Sequence, residues 1–130
     1  MMVLLDTNIP IRHLTGDPPA QARRATAFLS RTEELVLVDL VFAELIYVLQ
    51  SYYERPKSEV ALLARSLLAM DSIVTSDHDV LLRSLDLYEL KKLDYAEAYL
   101  VALAETSGVE KIASFDRRLD RVETIERIQP

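Results

Sequence analysis

Short apolar runs alternate with longer segments of helical spacing along this sequence, and that alternation limits the possible folds more than any other feature. The runs are only a few residues long and nearly continuous in apolar character, as in strands buried on both faces of a sheet. They span residues 2–5, 35–38, 72–75 and 111–114, with 124–128 as a further edge strand. Strands separated by helices predict an α/β domain with a mostly parallel sheet.

Helices are predicted in the segments between these runs. Apolar positions at helical spacing fall over residues 18–30, 39–53, 58–70, 76–92 and 94–106. Ser76 is the expected N-cap of the fourth helix, and acids follow it where the helix dipole favours them. Gly108 is the expected stop signal after the fifth helix.

The composition excludes several classes of site. The chain has 130 residues, which fits a single domain over residues 1–130. It has no cysteine, so disulfides, thiolate zinc sites and cysteine nucleophiles are excluded. Glycine-rich nucleotide-binding patterns are missing as well. Because neither a signal peptide nor a membrane-spanning run is apparent, we expect a cytoplasmic protein without membrane contact.

The formal net charge of −6 argues at first against a nucleic-acid-binding protein, because phosphate contacts usually come from lysine and arginine. A second interpretation is that the excess acid is concentrated in one site. Crowded carboxylates repel one another, and bound cations offset that repulsion. The positions of the acids therefore decide between the two interpretations.

Several acids lie where the predicted fold would form a site. Asp6 directly follows the first strand and Asp116 follows the fourth, so both are expected at the carboxyl edge of the sheet, where α/β proteins bind ligands. Glu44 and Glu97 each lie in an apolar helical segment, and Asp94 shares a helix face with Glu97. A charge in such surroundings is costly unless it is paired or bound to metal.

Each of these acids also has an ordinary structural interpretation. Asp6 could cap a helix, and Asp116 could start a turn. Glu44 could be a partly exposed acid or half of a buried ion pair. Asp94 and Glu97 could form a capping box. The set as a whole favours an oxygen-ligand site for Mg²⁺ or Mn²⁺ rather than zinc.

The acidic segments resemble those of PIN-domain ribonucleases, and in particular the VapC-like toxins of toxin–antitoxin pairs. The similar segments are Val-Leu-Leu-Asp-Thr-Asn at 3–8, Ala-Glu-Leu at 43–45, Leu-Asp-Tyr-Ala-Glu-Ala-Tyr-Leu at 93–100 and Ala-Ser-Phe-Asp at 113–116. Their order and spacing cover essentially the whole chain. The sequence departs from the family at Glu97, where Asp is more common, so Asp94 could carry a larger share of that ligand role.

The resemblance implies a three-layer α/β/α domain with a central, mostly parallel sheet of four to five strands. It also implies an endoribonuclease with one or two Mg²⁺ or Mn²⁺ ions, in which an activated water displaces the 3′-oxygen of the scissile phosphate. The implied catalytic acids are Asp6, Glu44, Glu97 and Asp116. The implied metal ligands are these four acids together with Asp94.

Further expectations concern the surroundings of this site and its partners. Polar residues that could orient the acids or a metal-bound water are Thr7, Asn8 and Ser114. Candidate RNA contacts are Arg12, Arg117 and Arg118. The resemblance implies an antitoxin protein that occludes the acidic pocket, and a homodimer. Two rival functions stay open, namely a catalytically silent PIN-fold binding module and a metal-dependent DNA nuclease.

Overall fold

The computed structural model describes residues 1–31 and 33–130, and the chain divides into two compact units, Met1–Ser76 and Asp77–Pro130. We describe each unit by itself. Within the described part of the chain, no helix is long and apolar enough to cross a membrane.

Among its described residues, the first unit contains three strands and four helices. Its elements, in chain order, are β1 (Met2–Leu4), α1 (Asn8–Thr15), α2 (Pro19–Leu29), β2 (Glu34–Val36), α3 (Asp39–Ser51), α4 (Lys57–Leu68) and β3 (Ile73–Val74). The strands form a parallel sheet in the order β1-β2-β3, in which Val3 pairs with Leu35 and Leu35 pairs with Ile73. Leu35 is fully buried, so the central strand anchors the sheet to the apolar core.

Helix α1 was not predicted, because Pro10 interrupts the apparent pattern. In the structure Pro10 lies in the first turn of α1, where a missing backbone N–H has no helical acceptor to lose. Gly16 then ends the helix with a left-handed φ of 71°, which glycine adopts at little cost. Helix α2 begins at Pro19, as the sequence predicts.

The second unit is built from a helix pair and a two-stranded sheet. Its elements are α5 (His78–Leu90), α6 (Tyr95–Ser107), β4 (Lys111–Ala113), a 3₁₀ turn (Arg117–Arg121) and β5 (Glu126–Ile128). Leu81, Leu85 and Tyr88 of α5 are fully buried, and the helix pair supplies most of the apolar interior of this unit. Strands β4 and β5 are parallel, and Gly108 ends α6 as predicted.

The N-cap predicted for α5 is wrong by one residue. The cap is Asp77 rather than Ser76, because the Asp77 carboxylate accepts hydrogen bonds from the backbone N–H groups of Asp79 and Val80 at 3.0 and 3.2 Å. A carboxylate satisfies two of the free N–H groups in the first turn and also interacts favourably with the helix dipole.

The α/β class with parallel strands is confirmed. Five strands are present in the described residues, each close to a predicted position but only two or three residues long. They hydrogen-bond as a three-stranded and a two-stranded sheet, since every strand pairs with strands of its own unit.

Candidate functional site

Three carboxylates meet in the second unit. One oxygen from each of Asp94, Glu97 and Asp116 lies within 4.8 Å of the others. Asp94 is the N-cap of α6 and Glu97 is in the first turn of that helix, so their spacing of three residues places them on one face. Asp116 follows β4 and begins the 3₁₀ turn. The structure therefore brings together the acids of the two PIN-like segments at 93–100 and 113–116.

Asp94 and Glu97 do not form a capping box. Although Asp94 is at the N-cap, its side chain makes no capping hydrogen bond. Its carboxylate accepts a hydrogen bond from Arg118 Nη2 at 3.1 Å instead. The ordinary structural interpretation of this acid pair is therefore wrong, because the nearby guanidinium is a stronger donor than a backbone N–H.

Asp116 has both of its expected roles, since it starts a turn and belongs to the acidic cluster. Its Oδ1 accepts the backbone N–H of Arg118 at 2.9 Å, which caps the 3₁₀ turn. Its own backbone N–H donates to Ser114 Oγ at 3.0 Å. Ser114 therefore holds the backbone that carries Asp116, close to the orienting role predicted for it.

Arg118, which was predicted only as an RNA contact, is a member of the cluster. Its Nη2 lies 2.6 Å from Asp116 Oδ2 and 3.5 Å from Glu97 Oε1, in addition to the bond to Asp94. Its Nε lies 3.1 Å from each Asp116 oxygen. The only sequence signal for this contact is the spacing of two residues from Asp116, which becomes meaningful only once the segment is known to turn.

Glu97 is the most enclosed acid of the three. Its side chain is 17% exposed, compared with 61% for Asp94. Both carboxyl oxygens of Glu97 are buried and have no hydrogen-bond partner among the described residues. Burial raises the pKa of Glu97, and the neighbouring Asp116 carboxylate raises it further. The prediction that this acid points into a largely buried setting is confirmed.

Charge distribution within the cluster is uneven. Hydrogen bonds from the Arg118 side chain and backbone hold the pKa of Asp116 well below its usual range. The same contacts raise the pKa of the Arg118 guanidinium. A buried carboxylate without a hydrogen-bond donor, beside two further carboxylates, is a donor set that suits a hard divalent cation such as Mg²⁺ or Mn²⁺. The residues present therefore fit a metal of that kind.

Asp6 belongs to the first unit, where it follows β1 and is exposed. Its Oδ1 accepts the backbone N–H of Thr7 at 2.8 Å. Thr7, not Asp6, is the N-cap of α1, so the capping interpretation of Asp6 is wrong. Thr7 is buried and fixes Asp6 through its backbone, while Asn8 is exposed at the first position of α1.

Glu44 is exposed, which corrects the expectation that it points into an apolar setting. Helix α3 buries Phe42, Leu45, Ile46 and Leu49 on one face. At about 100° per residue, Glu44 falls on the opposite face. Its apolar neighbours in sequence do not enclose it, because they lie on the other side of the helix.

A cleft of about 640 Å³ lies in the first unit beside Asp6. Three arginines line it, and one of them, Arg12 of α1, donates through Nε to Gln21 Oε1 at 3.0 Å. Arg31 lies over the ring of Phe28, with 4.8 Å from its guanidinium carbon to the ring centroid. The cleft lining includes Asp6, Asn8, Arg12, Arg24, Phe28 and Arg31. The cleft thus combines cations with an aromatic face. Arg117, another predicted RNA contact, is exposed in the second unit.

Comparison with known proteins gives one positive result. The family model described as PIN domain matches residues 3–125, which include all of the acids discussed above. No curated protein matches the chain. PIN domains are in general nucleases, and they generally use divalent metal ions. With a match over nearly its full length, this chain belongs to the PIN-domain family.

Proposed function

We propose that this PIN domain is a metal-dependent endoribonuclease of the VapC-like toxin type. The observation that carries the proposal is the cluster of Asp94, Glu97 and Asp116, in which both carboxyl oxygens of Glu97 are buried without a hydrogen-bond partner among the described residues. Buried carboxylates of this kind are costly unless a cation satisfies them, and Arg118, whose Nη2 lies 3.5 Å from Glu97 Oε1, makes no hydrogen bond to either oxygen. The family supplies the reaction class, and the cluster supplies a place for the ions.

In this proposal Asp94, Glu97 and Asp116 hold one or two Mg²⁺ or Mn²⁺ ions. The roles of Asp6 and Glu44 as further acidic ligands stay predictions that the resemblance implies. A bound divalent ion supplies activation of water and neutralisation of charge at the phosphate. Ser114 keeps the Asp116 backbone in place, and the backbone N–H of Thr7 holds the Asp6 carboxylate. Because the nucleophile is water, no serine or cysteine has to attack the phosphate.

RNA is the proposed substrate because of the cleft beside Asp6. Arg12 and Arg24 can contact phosphates, and the Arg31 guanidinium over the Phe28 ring offers a planar group on which a base can stack. Such a stacking group is useful only where bases are unpaired, so single-stranded or looped RNA suits the cleft better than a duplex. The cleft also offers a concentrated positive surface on a chain whose net charge is −6.

The direct experiment uses purified protein and two pools, one of single-stranded RNA and one of single-stranded DNA, with Mg²⁺, Mn²⁺ or EDTA. We expect RNA cleavage that needs metal and leaves 5′-phosphate ends, with little cleavage of DNA. Cleavage of DNA but not RNA would contradict the proposed RNA substrate and identify a DNA nuclease. Cleavage that persists in EDTA would contradict the metal-dependent reaction.

A catalytically silent PIN fold is the second candidate, and the observation that favours it is Arg118. Its guanidinium lies against all three acids of the cluster. If Arg118 filled this place permanently, no divalent ion would bind. Folded protein that neither cleaves RNA nor binds Mn²⁺ would support this second candidate.

The remaining proposals concern partners. We propose a homodimer and a small antitoxin protein whose arginine or lysine pairs with the acidic cluster. Light scattering on purified protein tests the first, with an expected mass of about twice the chain mass of 14.8 kDa. Co-purification with the product of a neighbouring gene, and loss of nuclease activity in that complex, tests the second.

A further inference from the structure

We propose that Arg118 is an internal cation that competes with divalent metal for the acidic cluster, so that the site is self-blocked until metal displaces its guanidinium. The inference rests on the proposed function in taking Asp94, Glu97 and Asp116 as the metal site. It adds a regulatory role for Arg118, which is inferred from the set of contacts that Arg118 makes.

The guanidinium occupies acceptor atoms of Asp94 and Asp116 that a metal would need, and it also lies near Glu97. It contacts Asp94 at 3.1 Å, Asp116 at 2.6 Å and Glu97 at 3.5 Å through one nitrogen, Nη2. Nε adds contacts of 3.1 Å to both Asp116 oxygens. A single cation therefore faces all three carboxylates, which is the position expected for a bound ion.

The two cations exclude one another for chemical reasons. Arginine does not lose its proton in proteins, so its positive charge cannot be removed to make room. A divalent ion beside the guanidinium would be repelled at short range, and both would need the same lone pairs of Asp116. Metal binding must therefore include breaking the contacts between Arg118 and the acids.

Arg118 can leave without unfolding the turn that carries it. Its side chain is 42% exposed, so the guanidinium has a path to solvent. Its backbone N–H is held independently at 2.9 Å by Asp116 Oδ1, and the next residue, Leu119, is buried. The backbone of Arg118 thus anchors the turn, whereas its guanidinium blocks the metal site, so the side chain can move while the turn stays in place.

The competition also explains how a metal-free cluster of three acids is tolerated. Three carboxylates within 4.8 Å would repel strongly without a cation. Arg118 offsets that repulsion and is itself only partly desolvated. A divalent ion with two charges and a preference for oxygen can then replace it when the ion is abundant.

The test is the affinity for Mn²⁺, measured by calorimetry and by electron paramagnetic resonance on wild type, Arg118→Gln and Arg118→Lys. We expect Arg118→Gln to bind Mn²⁺ on the order of tenfold more tightly, because the ion no longer has to displace the guanidinium from the acids. Arg118→Lys keeps a charge but loses the planar fork, so its affinity should lie between the two. Arg117→Gln removes the same charge from the neighbouring exposed position and should leave Mn²⁺ affinity within about twofold of wild type.

Thermal unfolding in EDTA shows whether each variant is folded, and the rise in melting temperature on adding Mn²⁺ gives a second readout. We expect a larger rise for Arg118→Gln than for wild type. Weaker binding by Arg118→Gln would show that Arg118 organises the ligands instead, and equal binding would show no competition; both overturn the inference. Metal-dependent RNA cleavage by wild type, measured in parallel, tests the proposed function separately.

Discussion

Among the three acids of the cluster, Glu97 has the least favourable surroundings for a charged carboxylate in the metal-free protein. It is the acid at which the sequence departs from its family, and its longer stem reaches a place where neither oxygen has a hydrogen-bond partner among the described residues. Burial and the Asp116 carboxylate both raise its pKa. Such strain is typical of groups that serve a function rather than stability.

Replacing Glu97 by Gln should therefore stabilise the metal-free protein and abolish its response to metal. Removing a charge that burial and a like charge both disfavour should raise the melting temperature by about 3 °C in EDTA. The further rise that Mn²⁺ gives to wild type should disappear in the variant. Thermal unfolding with and without Mn²⁺ measures both effects, and Glu123→Gln, at an exposed position, is the control. A destabilised variant that still responds to Mn²⁺ would refute this account of Glu97.

The sequence predicted the positions of some of these side chains and not of others. The spacing of three between Asp94 and Glu97 was sufficient to place both on one face, because helix geometry fixes that relation. The exposure of Glu44 agrees with its ordinary interpretation as a partly exposed acid, whereas the expectation of an apolar setting relied on neighbours in sequence that lie on the other face of α3. Arg118 was missed because its contact depends on a 3₁₀ turn that has no apolar periodicity.

At the scale of elements, a bidentate ion pair joins α5 to α6. Arg83 Nε lies 2.8 Å from Glu105 Oε1, and Arg83 Nη2 lies 3.0 Å from Oε2. Thr124 also donates its hydroxyl to Glu105. The Glu105 side chain is only 19% exposed, so this pair is better shielded than a typical surface ion pair.

We expect Glu105→Gln to lower the free energy of unfolding by about 1 kcal/mol near neutral pH. The hydrogen bond from Arg83 lowers the pKa of Glu105, so its stabilising effect is fully present above the ordinary glutamate pKa. That effect is lost as the pH falls through the lowered pKa of the folded state. Urea unfolding at several pH values should show the two proteins converging in acid. A difference that is constant with pH would contradict the ion-pair explanation.

The cleft beside α2 permits a closely matched comparison. Arg24 lines the cleft with Asp6, whereas Arg23 is exposed outside it. In an Asp116→Asn background, we expect Arg24→Gln to weaken binding of a single-stranded RNA about fivefold and to reduce the salt slope by about 0.7. Arg23→Gln should change both quantities little. Fluorescence anisotropy at several salt concentrations measures them, and equal effects of the two variants would rule out this cleft as the binding surface.

Elements differed in how well the sequence predicted them. All five predicted helices match the structure to within two residues at each end, because their apolar periodicity is long. Strands were located but predicted too long, since an apolar run does not reveal where pairing stops. The division of the strands into two sheets depends on pairing between segments distant in sequence, which no local pattern contains.

At the scale of the whole molecule, an acidic chain carries both a cleft lined by arginines and a cluster of acids. The net charge is −6, yet arginines line the cleft of the first unit, while three acids gather in the second. The family match extends over both units, from residue 3 to residue 125. A polyanionic substrate and divalent cations each have a surface of suitable charge on this chain.

The most direct measurement is the rate of RNA cleavage as a function of Mn²⁺ concentration for wild type, Asp116→Asn and the exposed control Glu123→Gln. We predict that wild type and Glu123→Gln follow the same saturating curve. Asp116→Asn should lose at least about a hundredfold in rate at every concentration, because a metal ligand is removed. An Asp116→Asn protein that is folded and cleaves RNA as wild type does would contradict the claim that this acidic cluster is the centre of a metal-dependent nuclease.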